Sequence, residues 1–320
     1  MKDLTFCIAY LNEEKELENT LASIRDNCGD SVDIIVIDDA SYNGYDHSHC
    51  KEKYNVNKWI THETRQGSSL SKHEAVMLSE TPYFILCDSH IRLLSSDFAK
   101  TLVNHIKSDT ECIYCTGMRQ LSVESDGKPV DNIFTQGAYV NHLIQPHGVN
   151  YVINPKDKHL NSIHTPSVLG SGYAGSKYFF NKIKGFEEHE GYGSEEITLA
   201  YKAWLYGNGC KSLRDVYIGH IFRKDGFPYK VQLGEPLYNI MATIYCCCPE
   251  DEFLNAMHRW VTEEPKNRFG YAFKRFTTNL PCLIESKKYY NSIQKHSYSD
   301  FIKFNAEFIK YNNIKPKTKK

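Results

Sequence analysis

The sequence predicts an α/β protein with a mostly parallel central sheet flanked by helices, followed by a helical C-terminal extension. Three observations carry this reading. Short β-rich runs alternate with helical patterns through the first half of the chain, the mark of layered α/β folds. The run VDIIVIDD (32–39) is apolar almost without a break, as in strands that a parallel sheet buries on both faces. Beyond Pro236 the remainder reads as helical.

In chain order, LTFCIAY (4–10) is the first expected strand. Asn12 stands where a helix N-cap belongs, ahead of an apolar stripe at Leu17, Leu21 and Ile24 with helical spacing. VDIIVIDD is the second strand and ends in two acids. NKWIT (57–61) is a third strand, Ser68 to Leu78 a helix, YFILCD (83–88) a strand, Phe98 to Lys107 a helix, and CIYCTG (112–117) the strand that closes this half. From about residue 120 to 165 the pattern dissolves into polar residues, Pro, Asn and His, and reads as a long functional excursion or lid. Order returns with SVLGSGYAGSKYFF (167–180), a helix from about Glu195 to Tyr206, and a strand VYIGHIF (216–222).

The 320 residues are 41% hydrophobic and 24% charged, the balance of a soluble globular protein with a sizeable core. No stretch reaches the roughly 18 to 20 apolar residues of a membrane span. The N-terminal MKDLTFCIAY carries Asp3 where a signal peptide is basic, and the 11 cysteines are scattered without framework spacing. The expectation is a cytoplasmic protein. The net charge of −1 is unevenly spread: residues 256–320 hold 14 Lys and Arg against 5 Asp and Glu, and the first 255 hold 24 against 34. The basic part interleaves aromatics (FGYAFKRF, KKYY, SYSDFIKF) and ends in IKPKTKK, read as a disordered tail.

Ligands of open parallel sheets sit beyond the carboxyl ends of the strands. The residues there are Tyr10, Asp38, Asp39, Asp88 and His90. Asp38 or Asp39 can accept hydrogen bonds from a ribose or a base N–H, or can simply mark a strand turning into a loop. Asp88 and His90 share a face if their strand persists, so both can reach one ion while Ser89 points away. One oxygen and one nitrogen ligand suit Mn²⁺, with Mg²⁺ as the alternative, and argue against Zn²⁺. Taken alone the pair reads more simply as a solvated turn. His220, in GHIFRKDGFPY, ends another apolar strand and is the third candidate ligand. Arg223 and Lys224 behind it would put positive charge beside an anionic leaving group.

GYGSEEITLAYKAW (191–204) joins a Gly-rich loop to a helix opening on Glu195 and Glu196. The helix dipole is sufficient reason for acids there. The chemical reading is a carboxylate that contacts an acceptor hydroxyl as base or orienting group. Cys112 and Cys115 have CxxC spacing but no second pair, and read as buried thiols. Cys246, Cys247 and Cys248 point in different directions on a helix, which is poor for chelation. Neither G-x-x-x-x-G-K-[ST] nor G-x-G-x-x-G follows the first strand, so P-loop and Rossmann readings lose support.

The order of YLNEE, DDAS, RQG (65–67), DSH, TPSVLGSGY, GYGSEE with a helix ending AWLYG, and GHIFRK resembles GT-A-fold glycosyltransferases. Among them it is most similar to the polypeptide N-acetylgalactosaminyltransferases, over about residues 4 to 230. That family carries an Asp-x-His metal motif, a TPxxAGG loop, a WGGEN loop leading to a helix that ends R-x-W-x-x-G-G, and a GHxFRK segment. The resemblance implies a GT-A catalytic domain over residues 1–235, with residues 236–320 a helical, basic and aromatic C-terminal region. It implies Mn²⁺ on Asp88, His90 and His220, with the donor diphosphate at the Asp-x-His motif. It implies uridine facing Asp39 with Asp38 beside it, the nucleotide at Arg65, the donor sugar along Gly170 and Ser171, and Glu195 near sugar and acceptor. Tyr10 completes the donor set from its strand end, and Glu195, Glu196 and Arg223 form the candidate catalytic set. Tyr192 for Trp, Ser194 for the second Gly and Glu196 for Asn alter the acceptor side. The family's membrane anchor and lectin domain have no counterpart in the sequence.

The chemistry this implies is transfer of a sugar from a UDP-sugar to a hydroxyl on a protein or glycan, with retention by resemblance only. The alternative acceptor is a hydroxymethylated pyrimidine in DNA, suggested by basic charge interleaved with aromatics and requiring the base to be flipped out. A non-catalytic nucleotide-sugar-binding module is opposed by intact Asp88, His90 and Glu195. A sugar nucleotidyltransferase would carry a Gly-rich basic loop after the first strand, where YLNEEKE is acidic.

Overall fold

The computed structural model describes residues 2–122, 128–129, 134–141, 143–145, 148–153, 160–223, 226 and 228–314. Lys224, the tail from residue 315 and parts of the 120–165 stretch lie outside the described residues. The strands are β1 (Leu4–Tyr10), β2 (Asp33–Asp38), β3 (Lys58–Thr61), β4 (Tyr83–Cys87), β5 (Ile91–Leu93), β6 (Ile113–Leu121), β7 (Thr135–Val140), β8 (Val149–Ile153), β9 (Ser162–Thr165), β10 (Gly172–Ser176) and β11 (Cys210–Ile221). The helices are α1 (Lys15–Cys28), α2 (Cys50–Lys53), α3 (Ser68–Leu78), α4 (Phe98–Ser108), α5 (Lys177–Lys182), α6 (Glu195–Tyr206), α7 (Gly234–Cys247), α8 (Glu250–Glu263), α9 (Lys266–Ile293) and α10 (Tyr298–Tyr311).

All strands join one sheet whose main path runs β3-β2-β1-β4-β10-β6-β11-β5. The parallel expectation holds for β3-β2-β1-β4 and gives way beyond it. β10 pairs antiparallel with both β4 and β6, while β6 and β11 run parallel to each other. This mixed order has a consequence for the site. Two antiparallel steps restore the direction of β4 in β6, and β11 follows β6. The C-terminal end of β11, with His220, therefore lies on the same sheet edge as the ends of β1, β2 and β4. β10 runs the other way, so its start brings Gly170 and Ser171 to that edge.

The local expectations differ from the structure in four places. Asn12 does not cap a helix: α1 opens at Lys15, with Glu14 in the cap position and no side-chain cap bond. Asn12 instead takes a left-handed φ of 56°, and its carboxamide accepts from Tyr42 N and donates to Pro228 O, tying loops together. The 120–165 stretch is not without structure: it holds the end of β6, the β7–β8 hairpin and β9. Their pattern was obscured because β8 and β9 each bury only part of their side chains. β11 starts at Cys210 rather than 216, with a register irregularity between Ser212 and Tyr217 that breaks the alternation. The strand carrying Asp88 stops at Cys87, so the two ligand candidates are brought together by a bend rather than by strand alternation.

The C-terminal helices are part of the same core. α7 is buried almost all round, as expected for a helix packed between α6 and α9. Cys112, Cys115 and Cys246 to Cys248 are all buried free thiols. Among the described residues no helix is long and apolar enough to cross a membrane. Beneath the loop that precedes α6, Lys202 Nζ donates to Glu188 Oε2 and to Gly185 O, both at 2.7 Å, and lies over the Tyr290 ring of α9. Burial alone would raise the Glu188 carboxyl, but Lys202 and Tyr290 hold it below its usual range.

Removing one partner of such a pair strands the other charge away from water. Lys202→Met is expected to cost about 3–5 kcal/mol in chemical denaturation. The double variant Lys202→Met/Glu188→Leu should regain part of that loss, because no unpaired charge then remains.

Candidate active site

A cavity of about 480 Å³ opens at the carboxyl edge of the sheet, within the range of small-molecule sites. Tyr10, Asp39, Arg65, Asp88, His90, Gly170, Ser171, Glu195, Glu196, His220 and Arg223 all line it. Asp38 does not; its carboxylate accepts from Ser41 N at 2.9 Å and stands beside the Tyr10 phenol, whose ionisation is suppressed by burial and by that carboxylate. The structure thus places Asp38 behind the cavity, capping the turn after β2.

The centre of the cavity floor is Asp88. Its Oδ2 lies 3.2 Å from His220 Nε2, and its Oδ1 accepts from Lys72 Nζ at 3.4 Å. Burial alone would favour the neutral acid, yet Lys72, His220 and His90 hold Asp88 far below the usual carboxylate range. Asp88, His90 and His220 each offer one ligand atom, all within 4.8 Å of one another. Burial first, then the neighbouring His90 and Arg223, lower the His220 pKa, which favours the neutral imidazole that metals bind. His220 Nδ1 is buried without a hydrogen-bond partner. One carboxylate and two imidazoles form a donor set that fits Mn²⁺.

Glu13, just past β1, was not singled out from the sequence, although YLNEE is acidic at a strand's carboxyl end. Its Oε2 accepts from Ser89 Oγ at 2.6 Å, lies 3.2 Å from His90 Nδ1, and pairs with Arg223. Occupying Nδ1 in this way leaves His90 Nε2 for an ion, the usual division of labour around a metal-binding histidine. Burial opposes ionisation of Glu13, but His90 and Arg223 outweigh it and keep the carboxyl low. Lys72 was missed as well. The sign was a lysine on the same face of α3 as the buried Ala75 and Val76.

The other walls come from turns pressed together. Asp39 accepts from Gln66 N at 2.7 Å, from Gly67 N at 2.8 Å and from His62 Nδ1 at 3.0 Å, so both oxygens hold the RQG turn. Gly67 has φ 98°, and a Cβ there would meet Gly191 O at 2.1 Å; only glycine lets this turn touch the GYG loop. Arg65 reaches Lys230 O and Glu235 Oε2 and faces the Tyr229 ring. From α7, Asn239 accepts from Glu190 N at 2.8 Å and donates to Glu190 O and Gly193 O at 2.9 Å, fixing the loop before α6 from behind.

The two acids that open α6 have separate environments. Glu195 Oε1 accepts from Ser68 Oγ at 2.5 Å and Ser69 Oγ at 2.9 Å. Burial would raise it, but Lys72 and Ser68 bring it below the usual range. The Glu196 backbone carbonyl accepts from Ser167 Oγ at 2.8 Å, whereas its carboxyl has no hydrogen-bond partner among the side chains of the other described residues, and burial together with Glu195 pushes it up to about 7. It lies against Gly170, where a Cβ would approach Glu196 Oε1 to 2.2 Å.

Residues 5–182, more than half of the chain, match the profile of glycosyl transferase family 2. The chain belongs to glycosyl transferase family 2. Polypeptide N-acetylgalactosaminyltransferase 4 of Caenorhabditis elegans is 21% identical over 233 residues, 70% of this chain and 39% of that protein. Polypeptide N-acetylgalactosaminyltransferase 3 of Mus musculus is 26% identical over 145 residues, 42% of this chain and 22% of that protein. The chain therefore spans about two fifths or less of the length of these relatives. Among solved structures, GalNAc-T7 with UDP, GalNAc and Mn²⁺ superposes with a TM-score of 0.74 at 16% identity, over 96% of this chain and 57% of that one. S. aureus TarS 1–349 in complex with UDP-GlcNAc gives 0.51 at 14% identity, over 98% and 88%. The family 2 chain thus has the GT-A fold.

A raised carboxyl has a defined pH signature. Between the ordinary value of 4.5 and about 7, the unfolded chain ionises Glu196 while the folded chain keeps it neutral, so stability from this group falls as pH rises through that window. Glu196→Gln removes the effect. Its stability relative to the parent, measured by urea denaturation without metal, should rise by about 2 kcal/mol between pH 5 and pH 8.

Proposed function

We propose that this protein is a metal-dependent glycosyltransferase that moves a sugar from a UDP-sugar to a hydroxyl on a protein or glycan. The observation that carries the proposal is the grouping of Asp88, His90 and His220 at the carboxyl edge of a GT-A sheet, in a cavity of about 480 Å³. The UDP and Mn²⁺ named with GalNAc-T7, and the UDP-GlcNAc named with TarS, support the choice of donor and ion. Residues 1–235 are read as the catalytic unit and residues 236–320 as a helical extension that braces it.

In this reading Asp88, His90 and His220 hold Mn²⁺, with Mg²⁺ as the substitute, and Glu13 keeps His90 oriented. A bound ion offsets the charge gathering on the departing diphosphate. Arg223, paired with Glu13 at the cavity wall, and Arg65, facing Tyr229, add positive charge for the same anion. Lys72 keeps Asp88 and Glu195 ionised from below. Asp39 shapes the nucleotide side through the RQG turn, and Tyr10 closes it. Gly170 and Ser171 let the donor sugar approach the sheet edge closely. The resemblance to the N-acetylgalactosaminyltransferases supports retention of anomeric configuration.

The composition that pointed to nucleic acid is largely taken up by packing. Phe276, Tyr290 and Phe301 are buried. Arg275 pairs with Glu190, Arg268 with Glu264, and Lys288 with Glu285. The protein or glycan hydroxyl is therefore the first reading, and modified DNA becomes one arm of the test.

With Mn²⁺ present, a panel of UDP-sugars is followed for hydrolysis and then for transfer to Thr-containing peptide, methyl glycosides and hydroxymethylated duplex DNA. Hydrolysis of at least one UDP-sugar is expected. EDTA, His90→Ala or His220→Ala should each reduce it by about 10²-fold or more. Undiminished turnover in EDTA and in both variants rejects the metal assignment.

A further inference from the structure

The β7–β8 hairpin reaches the cavity through Val149 and Tyr151, and its packing is shared between two parts of the molecule. Its strand pairing with the rest of the sheet is short: one Cα pair, Met118 with Thr135, joins β7 to β6, and a bridge joins Ala138 to Ser167. A two-stranded hairpin is marginal in water without a packed face. One face of this hairpin joins the main core through Ala138 and Val140, and the other is covered by α10, more than 140 residues later in the chain. Tyr139 and Val152 form a separate small core with Phe308, flanked by Phe304, Ile309 and Ile314. At its centre Asn305 acts as a surrogate strand, its Oδ1 accepting from Val140 N at 2.9 Å and its Nδ2 donating to Val140 O at 2.8 Å.

Two residues of β8, Val149 and Tyr151, line the cavity. Tyr151 is 41% exposed, so part of its ring faces open solvent. Burial, then the carboxylates of Glu196 and Asp88, disfavour its phenolate. Tyr151 thus lines the same cavity as the Glu196 carboxyl and Asp88 while staying partly exposed to solvent. No described residue hydrogen-bonds its hydroxyl.

We propose that Tyr151 is the acceptor-side wall of the cavity, seating the acceptor and keeping water from the reacting centre, and that α10 is the element that holds it there through Asn305. This rests on the reading of the cavity as a UDP-sugar site and adds a role for the C-terminal segment. Asn305 is a positioning residue; it acts only through the hairpin. Water is the competing acceptor in any glycosyl transfer, so a wall on this side is read by hydrolysis of the donor, whatever the natural acceptor is.

The test uses the full chain with Mn²⁺ and two donor probes, UDP-N-acetylgalactosamine and UDP-N-acetylglucosamine. Hydrolysis is measured together with UDP affinity for the parent, Tyr151→Ala, Tyr151→Phe and Asn305→Ala. Opening the wall should raise hydrolysis about tenfold in Tyr151→Ala and Asn305→Ala, with UDP affinity within about twofold of the parent. Tyr151→Phe, which keeps the ring, should stay near the parent. In Asn305→Ala, amide exchange should accelerate in residues 138–153 and not in β1, β2 or β4, which separates a local release from global unfolding. Parental hydrolysis in Tyr151→Ala overturns the proposal, as does a fall in hydrolysis accompanied by lost UDP affinity, which assigns the ring to the donor side. A parent that neither binds UDP nor hydrolyses either probe is a different failure, that of the UDP-sugar reading itself.

Discussion

A carboxylate enclosed at the bottom of a cavity must be met by positive charge or hydrogen bonds, and Asp88 is where this chain meets that requirement. Lys72 approaches one oxygen and His220 the other. These partners arrive on α3 and β11, elements far apart in sequence, and the strand order of the sheet is what brings them together. Glu13 does for His90 and Arg223 what Lys72 does for Asp88. The result is a floor in which charges of both signs alternate, as the proposed exchange of internal pairs for a cation and a diphosphate requires.

Around that floor the walls are turns, and turns need support. The RQG turn is held by Asp39, the GYG loop by Gly67, Asn239 and Glu235, and the β7–β8 hairpin by Asn305. Two of these braces are asparagine carboxamides from C-terminal helices, each bonding both a backbone N–H and a backbone C=O. A carboxamide carries donor and acceptor on one rigid plane, so it can stand in for a missing strand neighbour. The extension after residue 235 thus shapes the cavity from behind, since the cavity's lining residues end at Tyr229. Its aromatics are spent on packing α7, α9 and α10 against α6, which is why its composition resembles a binding surface while its structure is that of a core.

Legibility in the sequence followed locality. α3 and α6 have the bounds their patterns indicate, and the edge residues Tyr10, Asp39, Asp88, His90 and His220 were readable because a strand end is a local signal. Asp38 was indistinguishable from Asp39 by that signal, since only the direction of the turn decides which acid faces the cavity. Asn12 has the residue type of a helix cap, but a tertiary bond to Pro228 competes for its side chain and wins. Glu195 and Glu196 read as a pair; the hydroxyls of Ser68 and Ser69, from another helix, divide them into one engaged and one free carboxyl. The hairpin within residues 120–165 was hidden because β8 buries only part of its side chains and one face of the hairpin is covered by the distant α10, so neither segment shows a complete pattern by itself.

What the sequence by itself determined is the set of elements and the chemistry gathered at their ends, because helical spacing, apolar strands and strand-end acids are properties of neighbouring residues. The tertiary structure alone decided which of those groups face one another: Lys72 under Asp88, Glu13 behind His90, Glu196 against Gly170, Asn305 inside the hairpin. Each of these is a contact between residues distant in the chain. Its energy depends on burial and on the partner's charge, and neither quantity exists until the sheet has assembled.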